Sequence, residues 1–184
     1  MDTPLPPHYV ISLEEIFWGG ILVAITMVMH GNGMITVLRM SGRLKERFAP
    51  TPSFISGMSI LVFASWAILL VHLVEVLVWA AFFLWKDAVN PQTTTSANGS
   101  LCYYFALLDY TTLGSPYNLH VRWRLLEGML AMAGLFTFAW STGIMLTLAQ
   151  EFQDQELSLL KQRREKRHPT AVPAEAPRPA AGTD

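Results

Sequence analysis

Apolar positions fall into three long runs and one short one. Ile16 to Leu38, Ile55 to Leu84 and Val121 to Gln150 each reach or exceed the roughly 20 apolar residues a helix needs to cross a bilayer. Leu101 to Gly114, LCYYFALLDYTTLG, is apolar but too short to cross, and it ends in two threonines and a glycine. Such a segment is expected to dip into the membrane and return. Non-helical backbone at membrane depth survives only inside protein or beside water. The carbonyls after Thr111 must therefore face something polar, and an ion pathway is the natural candidate.

The first run is led by Ser12, Glu14 and Glu15, a cap with acids in the first turn. His30, Gly31, Asn32 and Gly33 interrupt its second half, which would weaken an isolated helix and marks close packing against a neighbour. The second run, roughly 45 Å long as a helix, exceeds the roughly 30 Å hydrocarbon layer and must tilt or project. Trp79 and Trp85 near its end suit the outer interface. Lys86 to Ser100 has the Pro, Asn, Thr and Ser content of a solvated loop, with a glycosylation-type sequence at Asn98-Gly99-Ser100. Beyond Gln150, good helix formers continue the last run towards a basic end suited to anionic lipid headgroups, the alternative being a merely solvated helix end, and Pro169 to Asp184 reads as disordered. The expected fold is an all-α membrane protein: three transmembrane helices plus a re-entrant helix and loop. It divides into a lead, first span and basic loop (1–54), a central module (55–150), and a helix extension with tail (151–184).

Composition agrees with a membrane class, at 52% hydrophobic and 15% charged residues with a mean hydropathy of +0.33. The net charge of −1 hides an asymmetry that sets topology, because ten of the thirteen basic residues lie at 39–47 and 161–178. Loops rich in Lys and Arg stay cytoplasmic, so the N-terminus is expected outside, the C-terminus inside, and the short segment enters from outside. Arg122 and Arg124 oppose this orientation and are outvoted. No secretory signal is read in Met1 to Glu15, which holds no Lys or Arg. With Cys102 alone, no intrachain disulfide can form, and pairing between subunits stays open. No nucleophile constellation, phosphate loop or metal cluster is visible, so neither an enzyme nor a nucleic-acid binder is expected.

The ionisable residues inside the runs are His30, His72, Glu75, Asp109 and Glu127, a costly class that faces protein or water. Counted along the helices, His30 lies about 22 Å from the outer end of its span and His72 about 27 Å from the inner end of its own. This separates them, and no shared metal is expected. Glu75 and Glu127 are candidates for supporting the loop, the alternative being interfacial acids reaching water. Asp109 ends the short helix, where a negative charge needs a partner or else raises the local cation concentration. Gly134, Phe138, Ser141 and Met145 recur at helical spacing and form a candidate cavity-lining stripe, the alternative being close helix packing. Rings of carbonyls from four copies of Thr111, Thr112, Leu113 and Gly114 would hold a dehydrated monovalent cation, with Gly114 supplying left-handed backbone. The alternative is an ordinary Thr-Gly turn.

Three pieces in order carry a resemblance: His72-Leu-Val-Glu75-Val-Leu-Val-Trp79-Ala80, Tyr110-Thr111-Thr112-Leu113-Gly114, and Trp123-Arg124-Leu125-Leu126-Glu127 followed by Phe138-Ala139-Trp140-Ser141-Thr142. Residues 55–150 resemble a bacterial potassium-channel-like family, in which helix, pore helix, filter and helix form the pore module after an extra N-terminal span. The resemblance implies a homotetramer in the bacterial inner membrane, in contact with lipid. It also implies passage of a monovalent cation, K+, through the 111–114 loop, with no other cofactor. A filter of that family would read Thr-Thr-Leu-Gly-Tyr-Gly-Asp, whereas this chain continues Ser115-Pro116-Tyr117. Pro116 fixes φ near −65° and lacks an N–H, so the inner rings can survive while the outer ones are lost. The expected function is a potassium or weakly selective cation channel. The alternative is a non-conducting scaffold or accessory subunit that keeps the frame for another membrane protein.

Overall fold

The computed structural model describes residues 13–48, 54–90 and 98–167. The expected Ser12 cap and the Pro/Ala-rich tail at 169–184 lie outside them. Four α-helices carry the fold: α1 (Leu13–Phe48), α2 (Phe54–Trp85), α3 (Gly99–Tyr110) and α4 (Leu125–Arg167). A two-residue strand β1 (Val89–Asn90) pairs antiparallel with β2 (Asn118–Leu119), and one 3-10 turn (Val121–Trp123) leads into α4. Among the described residues the chain is all-α apart from that strand pair, and α1, α2 and α4 are long and apolar enough to cross a membrane.

Local chemistry explains the elements. The polar interruption in the first run does not break α1. Asn32 donates to the Val28 carbonyl at 2.7 Å and Thr36 to that of Asn32 at 2.8 Å, so the polar side chains are satisfied within the helix. Gly33 leaves room for Val71 of α2 to press against the backbone. Asn98 caps α3, accepting the Leu101 N–H at 2.8 Å, which gives the glycosylation-type triplet a structural role. With 12 residues α3 is about 18 Å long, too short to cross.

The interior is layered. Towards the Trp85 end, Trp79, Phe83, Phe105, Tyr110, Leu126 and Leu130 form a large apolar cluster; towards the other end, Met34, Val37, Ala64 and Ile68 form a smaller one. Between them lie buried His30, His72, Glu75, Thr137 and Ser141. Trp79 is not an interfacial anchor: it is wholly buried, and its indole N–H donates to Thr26 Oγ1 at 2.9 Å. Trp85 is 65% exposed and, with Trp18 and Trp123, surrounds the Lys86 ammonium, an arrangement suited to a membrane interface. At the same end Arg122 pairs with Glu14, and Glu15 accepts the Leu125 N–H, tying the start of α1 to the start of α4. Cys102 is buried in the larger cluster, which closes it to pairing between subunits.

The path from α3 back to α4 is what positions the site. The α3 C-terminus lies against Gly134 of α4, where an added Cβ would collide with the Tyr110 carbonyl. From there the chain returns to β2, which pairs with β1 just beyond the Trp85 end of α2. The short segment thus enters and leaves at one end of the bundle. Replacing Gly134 forces α3 away from α4, so Gly134→Val is expected to lower stability by about 3 kcal/mol, the upper part of the overpacking range. A thermal melt in detergent checks this, and surface glycine Gly128, with open space at its Cα, serves as control.

Candidate functional site

All four helices meet in the polar layer. Glu75 of α2 is wholly buried, with Oε1 at 2.9 Å from His30 Nδ1 of α1 and Oε2 accepting the Tyr110 hydroxyl of α3 at 2.5 Å. The Tyr110 oxygen also lies 2.9 Å from His72 Nδ1 and 2.6 Å from Thr137 Oγ1 of α4. Ser141 of α4 joins the far side, its Oγ 3.0 Å from His72 Nε2 and 3.3 Å from His30 Nε2. Phe138 stacks on His72 with centroids 4.4 Å apart. Each polar group lies within hydrogen-bonding distance of at least one other, as burial away from water demands.

Tyr110 is the last residue of α3, so this layer fixes where the short helix stops. Along α2, Glu75 lies about 15 Å from Trp85 at 1.5 Å per residue, near half the thickness of a hydrocarbon layer. Directly beyond Tyr110 the backbone makes a Schellman turn. Thr112 N donates to the Asp109 carbonyl at 2.9 Å and Leu113 N to that of Leu108 at 3.0 Å, with Thr112 at φ +61° in the position glycine usually takes. A β-branched residue there costs on the order of 1–3 kcal/mol. Thr111 Oγ1 donates back to the Leu107 carbonyl at 2.9 Å. Gly114 follows at φ +79°, and Thr112, Leu113 and Gly114 are all exposed, Leu113 to 76%.

Two carboxylates hold the return path. Asp109 Oδ1 accepts the Ser115 N–H at 2.9 Å, and Glu127 Oε1 accepts the Leu119 N–H at 2.9 Å. Ser115 Oγ in turn accepts from Tyr117 N at 3.1 Å. Comparison of the chain with protein-family models, with curated proteins and with solved structures returns no match. The geometry of the site therefore stands on its own.

The structure relocates several residues singled out in the sequence. His30 and His72 are not on opposite sides: their ring centroids are 5.2 Å apart. Counting from the Phe54 end overstated the separation, because α2 at 32 residues is about 48 Å long and exceeds the roughly 30 Å hydrocarbon layer. Counted from the other end, His72 lies about 20 Å from Trp85, matching the roughly 22 Å from Glu15 to His30. Glu75 does not hold loop N–H groups. It holds side chains in the bundle centre, while Asp109 and Glu127 reach the backbone. Asp109 is buried at 8% exposure and does not form an open acidic ring. The Gly134, Phe138, Ser141 and Met145 stripe does not face an open cavity within the chain. Gly134 and Ser141 are buried against α3 and the histidines, Phe138 packs on His72, and Met145 packs on the smaller apolar cluster. Tyr110 and Thr137 were not marked by the sequence as polar partners. The one available signal was their spacing, Tyr110 adjacent to Asp109 and Thr137 one helical turn before Ser141.

Proposed function

We propose that copies of this chain assemble as a homotetramer around an axis lined by their 111–114 loops and pass monovalent cations across a membrane. One observation carries the proposal: exposed, non-helical backbone at Thr112, Leu113 and Gly114, held by the anchoring of Tyr110 to Glu75, about 15 Å along α2 from Trp85, a distance equal to about half a bilayer's thickness. Such backbone is intolerable in lipid and stable beside water or other copies of itself. The carboxyl end of α3 points its negative dipole end at the same place, which favours a cation there. In this reading Thr111, Thr112, Leu113 and Gly114 supply the oxygens. The cavity beyond them is lined by the exposed face of α4, Leu135, Ala139, Thr142 and Leu146 at helical spacing, in place of the stripe from Gly134 to Met145. In this reading the end bearing the basic residues near Arg47 and Lys161 faces the cytoplasm and the Trp85 end faces outside, as the bias of Lys and Arg favours.

A second reading, the non-conducting scaffold, is favoured by the turn itself. The N–H groups of Thr112 and Leu113 are tied back to α3, and Pro116 follows, so an extended run of carbonyls requires the cap to unwind. Flux separates the two. Reconstituted protein is expected to pass K+ above the level of empty vesicles, with Thr112→Ala lowering the flux about tenfold or more at unchanged oligomeric state. Tetramers that carry no flux under varied voltage, pH and calcium support the scaffold. A monomer or dimer in the bilayer removes the four-fold ion site and overturns the channel reading.

A further inference from the structure

We propose that His30, His72, Glu75 and Tyr110 form a four-ligand site for a resident divalent transition-metal ion of the zinc class, set in the polar layer where α1, α2 and α3 meet. The donor set is of the right kind, two imidazoles with a carboxylate and a phenol oxygen. It is also close to the right size. One ligand atom each from His30, His72 and Glu75 lies within 4.8 Å of the others. Ligands about 2.0–2.2 Å from a tetrahedral zinc stand about 3.4 Å from one another. His72 Nδ1 is 3.4 Å from Glu75 Oε2 and His30 Nδ1 is 2.9 Å from Oε1. The Tyr110 oxygen, 2.9 Å from His72 Nδ1, completes the set with shifts of a few tenths of an ångström to about an ångström.

Counting hydrogens shows why a cation belongs there. Five contacts close a ring: Glu75 to His30, His30 to Ser141, Ser141 to His72, His72 to Tyr110, and Tyr110 to Glu75. With Glu75 as the carboxylate, two neutral imidazoles, one phenol and one serine hydroxyl bring four hydrogens to those five contacts, so one pair of lone pairs faces without a proton. A metal ion removes the deficit. It takes the lone pairs of both Nδ1 atoms, and both Nε2–H groups then donate to Ser141 Oγ, whose two lone pairs accept them. The arrangement is matched nitrogen for nitrogen: both rings turn Nδ1 towards the Glu75 side and Nε2 towards one serine. Ser141 thus fixes the tautomer of both ligands, the role outer partners of metal-bound histidines play. An imidazolium or a protonated Glu75 carboxyl would also supply the missing hydrogen, but the first requires the two matched rings to differ in protonation and the second requires them to differ in tautomer.

Charge closes as well. The Glu75 carboxylate and the Tyr110 oxygen, its proton released to solvent on binding, neutralise a divalent ion, and the Thr137 hydroxyl at 2.6 Å donates to that oxygen. A neutral site is what an apolar surrounding tolerates. His30 and Glu75 are wholly buried and His72 is 5% exposed, so this is a place for a resident ion and not a permeant one. The inference holds whether or not the assembly conducts, because its test reads metal content alone.

Untagged full-length chain, expressed with added zinc and purified in detergent without chelator, is expected to carry about one zinc per chain. His30→Gln and Glu75→Gln are expected to lower this to about a tenth or less, while Ser141→Ala keeps the site and weakens zinc binding about 10- to 100-fold. Zinc-edge absorption on the native chain gives a second reading that needs no variant. Four N/O neighbours at about 2.0–2.2 Å, two of them imidazoles, are expected. Native chain with negligible zinc, and no tetrahedral Co2+ spectrum after growth in cobalt, would overturn the proposal and leave one added proton, on an imidazole or on Glu75, as the content of the layer. Equal zinc in the native chain and both variants, or a six-coordinate edge, would assign the metal to a surface group and overturn it too.

Discussion

The hydrogen bond from the Tyr110 hydroxyl to Glu75, 2.5 Å long, decides how deep the short helix goes. Everything distinctive about the molecule follows from that depth. Three helices long and apolar enough to cross a membrane would make an unremarkable bundle by themselves. Pinned by its last residue, α3 stops partway along its neighbours, and the chain must turn at that point whatever surrounds it. Gly134 reinforces the constraint from the other side, since its missing side chain lets the Tyr110 carbonyl rest on α4. The strand pair Val89–Asn90 with Asn118–Leu119 then ties the return path to the end where it began.

The polar layer that does the pinning is stable only as a whole. A lone carboxylate or imidazole at that depth would cost several kcal/mol, and the layer tolerates both because each meets a partner from another helix. Removing any one member strands the rest, so the layer couples the positions of α1, α2, α3 and α4. The two apolar clusters on either side exclude water and set the low dielectric that makes these contacts strong. The same isolation makes the turn beyond Tyr110 conspicuous, because its exposed backbone lies next to the most tightly satisfied part of the molecule.

Much of the frame was legible in the sequence. Three long apolar runs and one short one gave the helices, because length and hydropathy are local properties that a bilayer reads directly. The short run's failure to cross was legible for the same reason. The partnership of His30 with His72 was not, since it depends on where an overlong α2 sits relative to α1, a register that only helix packing sets. Trp79 was misassigned for a related reason: indole rings favour interfaces on average, and here Thr26 offered a buried acceptor. The stripe from Gly134 to Met145 was correct as a helical face, but nothing in a single chain's periodicity says whether a face of small residues meets a neighbour or a cavity. The Schellman turn was hidden by its residue, because Thr112 stands where a glycine would have announced it.

The central claim is that Tyr110 holds the 112–114 turn open to water partway across the membrane. Its most direct measurement is thiol labelling of Leu113→Cys in a chain with Cys102→Ala, using a membrane-impermeant reagent on vesicles and Trp66→Cys on exposed α2 as the lipid-facing control. The account predicts that position 113 is labelled from the side bearing Trp85 while position 66 is not. It also predicts that adding Tyr110→Phe changes the rate at 113. Protection of position 113 from both sides would contradict it.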